Sequence, residues 1–200
     1  MYQLIKQIIQ TGIKTEAAPQ PDEAMRVGPQ RLQQEILRVF GNALNIRHVD
    51  AGSCNACELE IHAVNNAYYN IEGLGIKFVA SPRHADLLLV TGPVSRHMVT
   101  ALQRTYDATP EPKLVVAIGD CACDGGIFCS NDGSPDGGGE SYASCGRVAN
   151  VIPVDVAVSG CPPTPTAILQ GILTAISAQK EGASASPDFL KSSCPQITQD

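Results

Sequence analysis

Residues 85–121 read ADLLLVTGPVSRHMVTALQRTYDATPEPKLVVAIGDC, with a segment of helical periodicity between two apolar runs. The runs ADLLLVTG and KLVVAIGDC are continuous in Val, Ile and Leu, which is typical of strands buried on both faces of a parallel sheet. The intervening segment VSRHMVTALQRTYDA predicts a helix. This strand–helix–strand order predicts an α/β fold whose sheet is covered by helices on both faces.

The same alternation continues on both sides of this stretch. Before it, IRHVDAGSC (46–54) predicts a strand and loop, residues 58–66 predict a helix, and IKFVA (76–80) predicts a strand. After it, VIPVDVAVSGCPP (151–163) predicts a last strand and TPTAILQGILTAISAQK (164–180) a last helix. We therefore expect a doubly wound parallel sheet, in which ligands bind outside the carboxyl ends of the strands.

The pattern divides the chain into three segments: an N-terminal helix and linker (1–30), an α/β domain (31–180) and a tail (181–200). Residues 2–15 form an amphipathic pattern that predicts a helix packed on this domain, on a partner or on a membrane surface. Residues 31–44, RLQQEILRVFGNAL, predict a second amphipathic helix, and the Gly- and Ser-rich residues 130–144 predict a loop. The apolar side of the second helix would carry Leu32, Ile36, Val39, Phe40 and Leu44.

Composition restricts the function classes. The 200 residues carry a net charge of −6 with no stripe of Lys and Arg, which argues against nucleic-acid binding. No apolar run reaches the roughly 18 residues of a membrane span, and the first residues lack the features of a secretory signal. These features predict a soluble, cytoplasmic protein.

Eight cysteines stand out in this composition: Cys54, Cys57, Cys121, Cys123, Cys129, Cys145, Cys161 and Cys194. Without an export signal, metal or redox chemistry is a better expectation than disulfides. Four of the cysteines directly follow predicted strands, and these are Cys54, Cys57, Cys121 and Cys161. Because the carboxyl ends of parallel strands share one edge of a sheet, these four thiols converge there, and four thiolates suit one cubane iron–sulfur cluster.

Spacing alone leaves other interpretations open. Cys54-Asn-Ala-Cys57 has the spacing of a thioredoxin-type dithiol, although that interpretation leaves the other cysteines unexplained. With Cys121-Ala-Cys123 it also supplies two close pairs, as in a structural zinc site. Cys123, Cys129 and Cys145 are either partly buried small side chains or ligands of a second metal site. Cys194, in the tail, is the weakest candidate for a ligand.

Four stretches resemble one known family: DAGSCNACELEI (50–61), SPRHADLLLVTGPV (81–94), AIGDCACDGGIF (117–128) and VIPVDVAVSGCPPTP (151–165). They are similar to the small electron-transfer subunits of membrane-bound, energy-converting nickel–iron hydrogenases and formate hydrogenlyases. The same family includes the 20 kDa subunit of respiratory complex I. That subunit has adjacent cysteines in its first motif, whereas Cys-Asn-Ala-Cys is the hydrogenase arrangement.

The resemblance implies a flavodoxin-like α/β domain with one [4Fe-4S] cluster held by Cys54, Cys57, Cys121 and Cys161. It implies electron transfer to or from the [NiFe] site of a hydrogenase large subunit. The other implied partners are a ferredoxin-like iron–sulfur subunit and membrane subunits, on the inner face of the cell membrane. The alternative is a complex I-like subunit of an NADH- or ferredoxin:quinone oxidoreductase, whose cluster reduces quinone.

Other side chains are weaker candidates. Glu58 and Glu60 follow the first cysteine motif and are either proton relays or ordinary acidic residues at a helix N-terminus. Arg83 either interacts electrostatically with the cluster or with a partner loop, or makes an ordinary surface contact. Three histidines are not expected to be ligands, namely His62, His84 and His97.

Overall fold

A five-stranded parallel sheet forms the centre of the described part of the chain, which in this computed structural model comprises Tyr2, Lys6 and residues 43–128 and 141–182. Its strands are β1 (Leu44–Asp50), β2 (Ile76–Phe78), β3 (Leu87–Thr91), β4 (Leu114–Ile118) and β5 (Val156–Val158). Their order across the sheet is β2–β1–β3–β4–β5, and every pairing is parallel. This is the flavodoxin-like order, so the predicted doubly wound α/β fold is confirmed.

Helices cover both faces of the sheet. They are α1 (Ala56–Val64), α2 (Val99–Ala108), α3 (Asp120–Cys123) and α4 (Pro165–Gly182). Ile61 of α1 and Ile172 of α4 belong to one buried apolar cluster, and Leu102 of α2 and Ala122 of α3 belong to the other. Because β3 and β4 lie between the two clusters, all of their residues are buried, which is why both read as continuous apolar runs.

Some predicted boundaries are wrong. Leu44, predicted on the apolar side of a helix, is the first residue of β1 and is fully buried in the sheet. The helix predicted from Val94 begins only at Val99, because Val94 and Arg96 donate backbone hydrogen bonds to Gly146 and Ala143 instead. The same contacts make an antiparallel bridge between Ser95 and Ser144, so the end of the predicted loop 130–144 is paired.

Several predictions lie outside the described residues. These are the linker 16–30, most of the two N-terminal helical segments, most of the Gly- and Ser-rich insertion, and the end of the tail. Cys129 and Cys194 lie there as well. The boundaries between the three predicted segments therefore stay predictions.

Aspartate side chains complete the hydrogen bonding at the amino end of the sheet. Asp86 precedes β3, and its Oδ2 accepts the backbone N–H of Asn45 at 2.9 Å and the side-chain amide of Asn45 at 3.2 Å. Asp155 precedes β5, and its Oδ2 accepts the Val115 N–H at 2.7 Å. These carboxylates accept hydrogen bonds from residues of the strands and so stabilise the sheet. The candidate site lies in the loops at the opposite, carboxyl end.

Candidate metal centre

The four predicted ligands follow the carboxyl ends of three strands. Cys54 lies in the loop after β1, and Cys57 lies one turn later in α1. Cys121 lies in α3, three residues after the end of β4, and Cys161 lies three residues after the end of β5. Cys57 is buried, Cys121 is half-buried, and Cys54 and Cys161 are exposed. The structure thus places all four on the same edge of the sheet.

The loop of Cys54 is held by side-chain hydrogen bonds to its own backbone. Asp50 Oδ1 accepts the N–H groups of Gly52 and Ser53 at 2.8 and 2.9 Å. Ser53 Oγ accepts the N–H of Asn55 at 3.1 Å, and Asn55 adopts a left-handed conformation with φ 73° just before α1. This turn fixes the backbone between the two cysteines of the first motif.

Gly119 lies between Cys57 and the loop of Cys161, and it leaves room for the Cys57 sulfur atom. A Cβ at this position would lie 2.6 Å from Cys57 Sγ, well inside van der Waals contact. Its φ of +89° is also a conformation that side chains disfavour. Gly119 therefore lets β4 and α1 approach closely enough for the thiols of Cys57 and Cys121 to share one site.

Burial and neighbouring charges act on the thiols of Cys57 and Cys121. Burial raises the pKa of the Cys57 thiol to about 12, with smaller contributions from Glu58 and from the charges of Cys121, Cys54 and Cys161. Burial also raises the pKa of Cys121, followed by the charges of Cys161 and Cys54. Four thiolates this close repel one another, so the set needs positive charge to become fully deprotonated.

This donor set fits an iron–sulfur cluster. Thiolates are the usual ligands of such clusters, and each one binds a different iron of a cubane. Among the described residues, no group of three or more His, Cys, Asp and Glu side chains is arranged around a point as for a single metal ion. Cys54, Cys57, Cys121 and Cys161 would hold the cluster, which supplies reversible one-electron chemistry when bound.

Cys123 and Cys145 occupy a different environment. Both are half-buried and pack against the apolar cluster beneath α2. The Cys123 thiol lies 3.8 Å from the carbonyl oxygen of Ala117. These contacts agree with the interpretation of both residues as small side chains of the core.

Glu58 is the carboxylate nearest the first motif in the chain, and it is buried in the first turn of α1. Its Oε2 accepts a hydrogen bond from Ser53 Oγ, and its Oε1 is buried without a hydrogen-bond partner. His48 Nε2 lies 3.8 Å from Oε1 and 3.1 Å from Thr91 Oγ1. Burial lowers the pKa of His48, so the neutral ring is favoured. Glu60, in contrast, is half-buried.

His48 is not predicted from the sequence as a site residue, because the pattern of a strand does not indicate that its ring lies near Glu58 of α1. His48 and His62 line a cavity of about 510 Å³ beside the part of β1 that β2 does not cover. Arg83 is exposed in the turn before the amino end of β3, which favours a surface contact over a cluster contact. His84 and His97 are exposed.

Exposed apolar side chains follow the Cys121 loop. Ile127 is 87% exposed and Phe128 is 50% exposed. They belong to a short 3₁₀ turn, Gly126–Phe128, and a Cβ on Gly126 would lie 3.0 Å from Cys121 Sγ. An apolar surface therefore adjoins one of the candidate ligands. No helix in the described ranges has the length and apolar character to span a membrane.

Residues 54–175 match a family described as NADH ubiquinone oxidoreductase, 20 Kd subunit. The chain is 42% identical over 142 residues to a probable membrane-bound hydrogenase subunit, mbhJ, of Pyrococcus furiosus, covering 71% of this chain and 79% of that protein. It is 38% identical over 145 residues to formate hydrogenlyase subunit 7 of Escherichia coli, covering 72% of this chain and 53% of that protein. The matched region thus spans about half the length of the latter relative.

A solved structure extends the likeness to three dimensions. It is a chain of the membrane-bound sulfane sulfur reductase, an archaeal respiratory membrane complex, with a TM-score of 0.59 and 30% identity. The match covers 76% of this chain and 77% of that chain. The relatives are subunits of oxidoreductase complexes, and the family match confirms the resemblance found in the sequence. The chain belongs to the family of the NADH ubiquinone oxidoreductase 20 Kd subunit.

Proposed function

We propose that this chain is an electron-transfer subunit that holds one [4Fe-4S] cluster on Cys54, Cys57, Cys121 and Cys161. It passes electrons one at a time to or from the [NiFe] site of a hydrogenase large subunit in a membrane-bound complex. The observation that carries this proposal is the convergence of four cysteines, from loops after three strands, at one edge of the sheet. The names of the hydrogenase-type relatives support the choice of complex.

The exposure of the site supports a partner that covers it. Cys54 and Cys161 are exposed, and Ile127 and Phe128 add apolar surface beside Cys121. A large subunit that packs on this surface would bury both the cluster and the apolar side chains. The remaining proposed partners are a ferredoxin-like iron–sulfur subunit and the membrane subunits. The complex would lie on the inner face of the cell membrane.

Within this function, the protein supplies ligands, burial and hydrogen bonds. Glu58 and Glu60 are our candidates for a proton relay beside the cluster. Ser53 and His48 on either side of the buried Glu58 carboxylate support this role, because they extend its polar contacts toward solvent. Glu60→Gln and Glu58→Gln should slow turnover of the complex without changing its cluster EPR signal. Unaltered turnover in both variants would leave these carboxylates as ordinary helix residues.

In the alternative function, the electrons reduce an acceptor other than protons. The family description names an NADH ubiquinone oxidoreductase, and the solved relative belongs to a sulfane sulfur reductase. A subunit with the same cluster would then deliver electrons to quinone or to a sulfur compound.

The test is the metal content of the native complex isolated without oxygen, combined with EPR. Four irons and four sulfides on this subunit, with nickel in the complex, are expected for the hydrogenase function. The same cluster in a complex without nickel would replace it with quinone or sulfur reduction. Zinc without iron would overturn both interpretations.

A further inference from the structure

Asp120 joins two of the cysteine loops through a pair of hydrogen bonds. Its backbone N–H donates to the carbonyl oxygen of Gly160 at 3.0 Å, and its Oδ1 accepts the Gly160 N–H at 2.6 Å. Asp120 immediately precedes Cys121, and Gly160 immediately precedes Cys161. The two bonds therefore connect the residues next to two candidate ligands.

The pair continues the contact between β4 and β5 beyond the ends of the two strands. Ile118 and Val158 are the final partners of β4 and β5, and the Gly119 N–H still donates to the Val158 carbonyl at 2.8 Å. One residue later the Asp120 N–H donates to the Gly160 carbonyl, and in the other direction the Gly160 N–H is accepted by the Asp120 carboxylate and not by a backbone carbonyl. This is the point where β4 gives way to α3, so a side chain is needed to keep the two loops together.

Gly160 has little freedom to move away from Asp120. Its φ is +136°, and a Cβ there would lie 2.7 Å from Pro163 Cα. The Cys161 loop is thus folded tightly on itself, with its N–H directed at Asp120. A hydrogen bond to a carboxylate is stronger than one between neutral groups, so this contact is well suited to hold the loop.

We propose that Asp120 is a positioning residue that sets the spacing of Cys121 and Cys161 and, through its charge, lowers the reduction potential of the cluster they hold. This inference rests on the proposed cluster. The spacing follows from the two bonds to Gly160, and the effect on the potential follows from a carboxylate next to a ligand, since local charge and hydrogen bonding set cluster potentials. The residue acts through the ligands and does not bind iron.

Two substitutions separate the two roles. Asp120→Asn keeps an oxygen that can accept the Gly160 N–H but removes the charge, so its midpoint potential should rise while the cluster stays firmly bound. Asp120→Ala removes both the acceptor and the charge, so a ferrous chelator should remove iron roughly tenfold faster than from the native complex. Both measurements use the complex purified without oxygen.

Asp124→Ala provides the matched control. Asp124 lies in the same loop, and its Oδ1 accepts the Gly126 N–H at 2.7 Å, so this bond stays within the Cys121 loop. Its loss should not accelerate iron removal as the loss of Asp120 does. If Asp120→Ala fails to assemble any cluster, the Asp120→Asn potential still decides the charge effect.

The outcomes distinguish this inference from the proposed function. A native complex without a [4Fe-4S] signal would remove the proposed function itself. A native signal with Asp120→Ala and Asp120→Asn both indistinguishable from it, in chelator rate and in potential, would overturn only the role of Asp120. Equal acceleration by Asp120→Ala and Asp124→Ala would also overturn it, because the link to Gly160 would then be irrelevant.

Discussion

The two ends of the sheet use polar side chains in opposite ways. At the amino end, Asp86 and Asp155 accept hydrogen bonds from strand N–H groups and complete the backbone pairing. At the carboxyl end, burial together with the charges of nearby thiolates raises the pKa of Cys57 and Cys121. The first arrangement stabilises the fold, whereas the second is unfavourable for thiolates until a positively charged group binds. We therefore propose the carboxyl end, where like charges are crowded, as the functional end of this molecule.

Removal of a thiol from the carboxyl end should have the largest effect on the proposed cluster. Cys161→Ser should lose or convert the [4Fe-4S] cluster and leave the fold intact, because Cys161 is exposed and the hydrogen bonds that hold its loop join Gly160 to Asp120. Iron content and EPR of the complex measure the loss, and circular dichroism checks the fold. Cys145→Ala is the control and should keep the four-iron signal, since Cys145 packs in the core. A full [4Fe-4S] signal in Cys161→Ser would remove that residue from the ligand set.

A second substitution tests the close approach of β4 and α1. Gly119→Ala places a methyl group 2.6 Å from the position of Cys57 Sγ, so we expect a large loss of bound iron. Gly75→Ala also substitutes a glycine of positive φ, +85° against +89°, in the left-handed region with ψ 22° where Gly119 has ψ 155°, and its Cβ meets nothing within 4 Å. The control should lose about 1 kcal/mol of folding stability and keep its iron. Equal iron content in the two variants would show that the contact with Cys57 is unimportant.

The carboxyl end could be predicted from sequence because its signal is local. The apolar runs of β3 and β4 are continuous, and each cysteine motif directly follows a strand, so parallel topology alone brings the motifs to one edge. Which cysteine of Cys121 and Cys123 faces the site is not visible in the spacing. The two lie in the short helix α3, where residues two apart point about 200° from each other, so one faces the site and the other the core.

Contacts between segments that are distant in the chain could not be predicted from the sequence. The Asp120–Gly160 pair and the His48–Glu58 contact join residues that become neighbours only once the sheet has formed. The sequence predicts a helix at Leu44 because this residue continues the apolar spacing of the preceding segment, yet its pairing with Ile76 places it in β1. Local periodicity has no information on such pairing.

At the amino end, loss of a carboxylate should change stability and not the cluster. Asp86→Ala removes the acceptor for two Asn45 donors, which should cost about 1–3 kcal/mol in chemical denaturation. Asp86→Asn retains one acceptor oxygen and should lose less. The iron content and EPR signal of both folded variants should match the native protein. A changed cluster signal in either one would contradict the separation of the two ends.

The smallest expected effect concerns Asp155. Partial burial raises the pKa of this carboxyl above its ordinary value of 3.8, against the opposing hydrogen bond from Val115. A raised pKa means that the fold favours the neutral form, so the carboxyl contributes its full stability only at acid pH and loses it as the pH rises through the folded pKa. Asp155→Asn keeps an acceptor for the Val115 N–H and does not ionise. We therefore expect it to be slightly more stable than the native protein near neutral pH, with the difference vanishing in acid.

Denaturation midpoints of the two proteins across this pH range measure the effect. Asp155→Ala serves as the control: it also removes the charge, but it loses the acceptor for Val115 and should be less stable than Asp155→Asn at every pH. An advantage of Asp155→Asn that stays constant with pH would mean that burial does not act on this carboxyl. Asp155 would then differ from Asp86 only in accepting one hydrogen bond where Asp86 accepts two. The charge of Asp155 would then have no effect on the free energy of unfolding.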